Sequence, residues 1–146
     1  ILDECDEPIR PVILWNDGRT SKETEYLNTV VGVNKLASLT GNMAFAGFTA
    51  PKILWLYNNE RESFDRIKKI MLPKDYLNYR LTGVHASDYS DAAGTLMLDV
   101  KNKCWSAEML DISDRNVRYI KESAFEKLNI VWSYNLFVSL MLKERA

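Results

Sequence analysis

Gly47-Phe48-Thr49-Ala50-Pro51-Lys52-Ile53-Leu54-Trp55-Leu56-Tyr57-Asn58-Asn59 joins a turn, a helix start, one lysine and an amphipathic helix in a single stretch. Gly47 and Pro51 interrupt regular structure, so the helix is entered from a loop. Pro51 suits the first helical turn, and Thr49 is placed to cap the free amides there. Ile53, Leu56 and Tyr57 fall on one face, with Trp55 and Asn58 to the side. On these residues alone the stretch reads as a capped core helix.

Working upstream, Ile1 and Leu2, the polar cluster Asp3 to Pro8, and Ile9 to Trp15 read as strand, turn and strand. Pro8 and Pro11 suit an edge or a strand entry. Val12-Ile13-Leu14-Trp15 is continuously apolar, the pattern of a strand covered on both faces. It ends in Asn16-Asp17-Gly18-Arg19. Polar groups just beyond a buried strand are a common ligand position in α/β folds; the other reading is an ordinary turn in which Asp17 and Arg19 pair with each other. Thr20 or Ser21 caps the next helix, with Glu23 and Glu25 in its first turn and Leu27, Val30, Val31 and Leu36 as its buried face.

Downstream, Ser63 to Ile70 suggests a short helix with Lys68 and Lys69 solvated, and Ile70 to Leu72 a short strand. Pro73 opens a further helix, with Asp75 near its amide-rich end, Tyr76, Leu77, Tyr79 and Leu81 as its apolar side, and Gly83 as its stop. His85 is expected exposed or bonded to backbone. Ala86 to Thr95 is small and polar, a composition that lets backbone approach a ligand, a neighbouring helix or solvent. Leu96 to Val100 reads as a strand turning at Asn102, and Ser106 starts a helix. A second helix is expected within 112–120. From Asn129 the chain becomes almost wholly apolar, as a buried helix, a strand or part of an interface.

The whole sequence has 146 residues, 47% hydrophobic and 27% charged, enough for one domain with a real core. A net charge of −1 gives no electrostatic footprint for nucleic acid or an anionic membrane. No run reaches the roughly 18–20 apolar residues of a membrane span. Cys5, Cys104 and a single histidine offer no metal-ligand spacing, and a reduced, cytoplasmic setting is expected. The chain opens without Met and in mid-pattern, and is expected to be an internal fragment of a longer protein.

Three blocks, in order, carry a resemblance. Arg10-Pro11-Val12-Ile13-Leu14-Trp15-Asn16-Asp17-Gly18-Arg19 holds a strand ending in Trp-x-Asp-x-Arg. The stretch Gly47 to Asn59 holds Gly47, Thr49, Lys52, Ile53, Trp55, Leu56, Asn58 and Asn59 at the restricted positions of a signature. Leu72 to Leu77, with Leu81-Thr82-Gly83 and Ser87 to Thr95, forms the third. Together they resemble the FGGY family of carbohydrate kinases over roughly Ile9 to Ser106, with wording closest to the branch that acts on D-xylulose. The resemblance implies an α/β fold: part of an actin-like, RNase H-like ATPase domain, the sugar-kinase N-terminal domain. It implies residues 1–128 as a partial sugar-binding domain and 129–146 as a divergent apolar tail. It further implies transfer of the γ-phosphate of Mg-ATP to a sugar hydroxyl, the 5-hydroxyl of D-xylulose or a related pentulose, by a whole protein able to form a homodimer.

ATP and Mg²⁺ are therefore expected in the parent and not on this fragment alone, because the family's glycine-rich phosphate loop, catalytic aspartate and nucleotide domain lie outside the chain. Asp17, Asp75, Asp88 and Asp91 lack the local context of the catalytic base, so no catalytic residue and no metal ligand is assigned. By resemblance Trp15 lies beside the sugar, Asp17 and Arg19 support it or touch it, and Gly47, Phe48 and Thr49 form another part of the wall. Lys52 stays open between a ligand contact and a structural tie to a carboxylate. Trp55, Tyr76 and Trp105 are expected in the core. Ile120-Lys121-Glu122-Ser123 echoes a family element. The competing reading is a non-catalytic binding or oligomerisation module on the same scaffold, motivated by the apolar tail.

Overall fold

A computed structural model describes residues 1–112 and 129–130. The expected helix within 112–120, the Glu122-Ser123 echo and the tail beyond Ile130 lie outside the described residues.

The centre is α3 (Thr49–Asn59), which buries Ala50, Pro51, Ile53, Leu54 and Leu56. Each fully buried Ile or Leu contributes about 1.5–3 kcal/mol, so this one helix anchors the core. Ile13, Leu27, Leu36, Phe64, Ile67, Ile70, Leu96, Met97 and Met109 complete it. The helix is capped differently from expectation: Phe48 is the cap residue and makes no side-chain cap bond. Pro51 instead occupies the first turn, where an absent N–H costs nothing. Trp55 and Trp105 are half-buried, packed on the core from outside rather than within it. Tyr76 is half-buried too.

Ahead of α3, a 3₁₀ turn (Gly18–Thr20) runs into α1 (Ser21–Tyr26), a π-helical turn (Leu27–Gly32) and α2 (Val33–Thr40). The buried stripe runs through Leu27 and Leu36, while Val30 is 67% exposed. The i→i+5 turn and the left-handed Gly32 (φ +95°) shift the helical phase, so Val30 turns to solvent against expectation. Gly41 (φ +73°) closes α2 in the left-handed conformation.

After α3 come α4 (Arg61–Asp65) and α5 (Pro73–Thr82), the latter with proline in its first turn and Gly83 at φ +72° as its stop. Of the expected apolar side, Tyr76 and Tyr79 are partly covered, whereas Leu77 and Leu81 are 60% and 76% exposed, against expectation. The covered face is the one bearing Asp75, 2% exposed, and Tyr79, whose hydroxyl bonds Asp6. Lys69, expected in solvent, is instead largely covered and ion-paired with Asp6. Asp6 also accepts from the Tyr79 hydroxyl at 3.0 Å. His85 stacks on Tyr79 with centroids 4.1 Å apart, so it is neither exposed nor a backbone partner.

Strands are few among the described residues. β1 (Ala86–Ser87) leads into α6 (Tyr89–Ala93), and β2 (Leu98–Asp99) turns back into β3 (Cys104–Trp105) before α7 (Ala107–Ile112). β1 pairs in parallel with β4 (Asn129–Ile130), and β2 pairs antiparallel with β3. Asn102 bonds Asp99 in the expected turn. Ser106 caps α7 by accepting from the Met109 amide at 3.3 Å. Leu96, fully buried, adopts φ +62° just before β2.

The two strands expected over residues 1–2 and 9–15 are not formed. Leu2 makes single bridges to Pro8 and Lys69, and among the described residues no strand pairs with 11–15 or with 70–72. Ile13 packs inward on α3, whereas Val12, Leu14 and Trp15 are exposed. A run apolar on both faces needs two covering layers, and only one is present among the described residues.

Candidate functional site

The site is built from the loop that precedes α3. Asn28 holds that loop like a strand neighbour: its amide donates to the Ala44 carbonyl and its carbonyl accepts from the Ala44 N–H, both at 2.9 Å. The buried Thr20 hydroxyl, expected as a helix cap, instead donates to the Ala46 carbonyl at 3.1 Å. Asp17 is the cap found: its carboxylate accepts from the Arg19 amide at 3.0 Å and opens the 3₁₀ turn. An Asx turn at Asp17-Gly18-Arg19 was the signal available for this in the sequence.

With the loop so pinned, Gly47 meets Trp15. A Cβ at position 47 would sit 2.9 Å from the Trp15 carbonyl oxygen, a separation side chains do not tolerate. The contact closes one wall of a cleft of about 330 Å³. Pro11 to Trp15 form one side, and Gly47, Phe48, Thr49 and Lys52 the next. Leu72 and Pro73 at the start of α5, with Ser90, Asp91 and Gly94 of the α6 region, form the third. The Ala50 amide donates to the Thr95 carbonyl at 2.9 Å and joins the last two sides.

Four of the six expected contact residues, Trp15, Gly47, Phe48 and Thr49, therefore line one cleft. Asp17 and Arg19 do not line it. They form a bidentate pair, with Arg19 Nη2 2.8 Å from Asp17 Oδ2, and the guanidinium lies over Trp55 at 4.9 Å. The hydrogen bond from Arg19 holds the Asp17 carboxyl below its usual range. Lys52 lines the cleft, and its ammonium donates to the Gly47 carbonyl at 2.6 Å, so the tie expected to a carboxylate is made to backbone instead. Burial lowers its pKa from the ordinary lysine value, opposed by Asp17 nearby.

Sequence reading missed Lys74. Its ammonium meets Asp75 at 2.5 Å, Asp88 at 2.7 Å and Asp91 at 3.2 Å. Burial by itself would lower the pKa of Lys74, but its bonds to Asp75 and Asp88 raise it well above the ordinary value. Burial likewise opposes ionisation of Asp88, but the bond and charge of Lys74, together with the backbone amides of Asp91 and Ser90, outweigh it and hold that carboxyl low. All four carboxylates considered as acids or bases are thus committed to a cation, Asp17 to Arg19 and the other three to Lys74.

Chemically, the cleft sets aromatic surface from Trp15 and Phe48 beside the Thr49 and Ser90 hydroxyls, an ammonium and a carboxylate. That mixture suits a small polyhydroxylated ligand, whose C–H faces stack and whose hydroxyls bond. Among the described residues no group of three or more His, Cys, Asp or Glu side chains is placed to hold a metal ion, and no helix is long and apolar enough to cross a membrane. The described residues do not fit a nucleotide–magnesium site.

Residues 1–126 match the model of the N-terminal domain of the FGGY family of carbohydrate kinases. The chain is 46% identical to a xylulose kinase of Lactococcus lactis subsp. lactis (strain IL1403), over 93% of this chain and 28% of that protein. It is 51% identical to a xylulose kinase of Staphylococcus xylosus, over 75% of this chain and 23% of that protein. Among solved structures, a xyloylose kinase from Brucella ovis superposes with a TM-score of 0.75 at 41% identity, over 88% of this chain and 24% of that one. A ligand-bound xylulose kinase from Lactobacillus acidophilus gives 0.75 at 28% identity, over 89% and 25%. The chain spans 23% to 28% of the length of these relatives.

Proposed function

The chain belongs to the FGGY family of carbohydrate kinases and carries part of its actin-like N-terminal domain, and on that premise we propose that it is the sugar-facing piece of an ATP-dependent ketopentose kinase. The whole protein, in this reading, phosphorylates D-xylulose to D-xylulose 5-phosphate in the cytoplasm. The fragment binds the sugar and does not turn over ATP alone. ATP and Mg²⁺ are held by parts of the parent beyond these residues, and so is the base that accepts the sugar proton. Residues 1–128 are the partial sugar-binding domain and 129–146 a divergent tail.

The observation that carries the reading is the meeting of Trp15 with Gly47, Phe48 and Thr49 around one cleft, in a chain whose curated relatives are named xylulose kinases. Trp15 offers a stacking surface and the Thr49 hydroxyl a bonding group, while Asp17 and Arg19 brace the turn that follows Trp15. The test is calorimetric titration of the folded chain with D-xylulose, D-ribulose, xylitol and ATP. Saturable heat with the ketopentoses and none with ATP is expected, and Trp15→Ala removes it. A folded chain indifferent to every pentulose overturns the sugar assignment; ATP-dependent formation of xylulose 5-phosphate overturns the claim of inactivity.

A second reading, a non-catalytic binding or oligomerisation module, draws support from the exposure of Val12, Leu14 and Trp15. A stable oligomer in sedimentation, with no response to pentulose, selects it.

A further inference from the structure

The acidic side of the cleft is organised by a residue that does not itself line it. Lys74 stands in the first turn of α5 and reaches three carboxylates from two parts of the chain. Asp75 is 2% exposed and fixed. Asp88 serves twice: Oδ2 meets Lys74 at 2.7 Å while Oδ1 accepts the Asp91 amide at 3.0 Å and caps α6. Asp91 is the least covered of the three, with a side chain 47% exposed, and with Ser90 it borders the same cleft as Trp15. Three carboxylates around one ammonium leave an excess of negative charge, so removing the ammonium drives them apart. The member free to move is Asp91, and it takes Ser90 and the wall with it.

We propose that Lys74 is a positioning residue for sugar binding, holding the Ser90–Asp91 edge of the cleft in place by tying Asp88 and Asp91 to the buried Asp75. The proposal rests on reading the cleft as a sugar site. A purely structural tie would lower stability when cut and leave the affinity of the folded protein alone; a positioning tie changes both affinity and local order.

The experiment uses the full chain as wild type, Lys74→Met, Lys74→Arg and Asp91→Asn. D-xylulose is titrated well below each unfolding midpoint, and amide hydrogen exchange is followed over residues 88–94. In Lys74→Met, affinity is expected to fall about tenfold and exchange at Ser90 to Gly94 to rise about tenfold, each within the coupling range of contacting residues. Lys74→Arg restores both to within about threefold, because it keeps the charge on a differently shaped donor. Asp91→Asn weakens sugar binding while the Asp88 cap keeps α6 protected. A folded Lys74→Met chain with wild-type exchange overturns the proposal whatever its affinity. If that variant does not fold, unchanged affinity in Asp91→Asn overturns it instead. Raised exchange in Lys74→Met beside a wild type that ignores D-xylulose supports the tie and refutes the sugar reading beneath it, so the two failures are distinguishable.

Discussion

Replacing Gly47 by alanine adds a single methyl group at the tightest point of the cleft. Its Cβ would lie 2.9 Å from the Trp15 carbonyl oxygen, whereas even an attractive C–H···O contact rests at about 3.3–3.6 Å. The two backbones must separate by about 0.4 Å or more to reach that range. The obstructing atom belongs to the main chain, so no side-chain rotation relieves the clash. The Gly47 carbonyl also receives the Lys52 ammonium at 2.6 Å, so separation strains that bond as well. Overpacking of this kind costs about 1–3 kcal/mol, which for a domain of this size lowers Tm by roughly 3–10 °C. Gly18→Ala is the control: no atom lies within 4 Å of its added Cβ, and alanine there leaves stability unchanged or raises it by up to about 1 kcal/mol. Thermal unfolding followed by far-UV circular dichroism measures both. If Gly47→Ala melts within about 1 °C of wild type, a shift below the predicted cost, the close approach of the two backbones is not what shapes the cleft wall.

Two further outcomes follow from burial and charge. Leu36 is fully buried, and Leu36→Ala is expected to lower the urea unfolding free energy by about 2–5 kcal/mol; a loss under about 1 kcal/mol would mean that α2 is not docked on the core. Burial raises the Asp6 pKa, but the bonds from Lys69 and Tyr79 outweigh it and leave the folded value below the ordinary one. The unfolded chain therefore binds the extra proton first. The contribution is present above the ordinary carboxylate pKa, near about 3.9, and is lost as pH falls through the lower folded value. Asp6→Asn, which keeps a side chain tolerant of φ +64°, should be less stable at neutral pH and lose less stability on acidification. Parallel acid titrations of the two proteins would contradict this.

Local chemistry was readable from the residues wherever it acts locally. Pro73 and Gly83 bound α5, and the Asp99–Asn102 turn joins β2 to β3, because proline, glycine and Asx residues impose backbone geometry without distant help. The pairing of Trp15 with Gly47 to Thr49 came from an ordered set of motifs and not from periodicity. Longer-range features were hidden. The run Ile9 to Trp15 carries strand composition, but a strand exists only when another pairs with it. Leu77 and Leu81 share a helical face, yet the direction that face points was decided by Asp75 and Tyr79 on the opposite side. Thr20 looked like a cap because its neighbours do, while its hydroxyl went to Ala46 across the fold. Lys74 gave no signal, since Asp88 and Asp91 reach it only after α5 turns back through β1.

Leu96 carries two incompatible requirements at one position. Its backbone, at φ +62°, favours glycine, and the left-handed conformation costs any side chain about 1–2 kcal/mol. Its environment, with no solvent exposure, requires a large apolar group. Glycine there would relax the chain and leave a hole; a β-branched residue would fill the hole and worsen the backbone. Substitution at this site is boxed in from both directions, so the joint between α6 and β2, which begins at the cleft-lining Gly94, has little freedom to drift over evolutionary time.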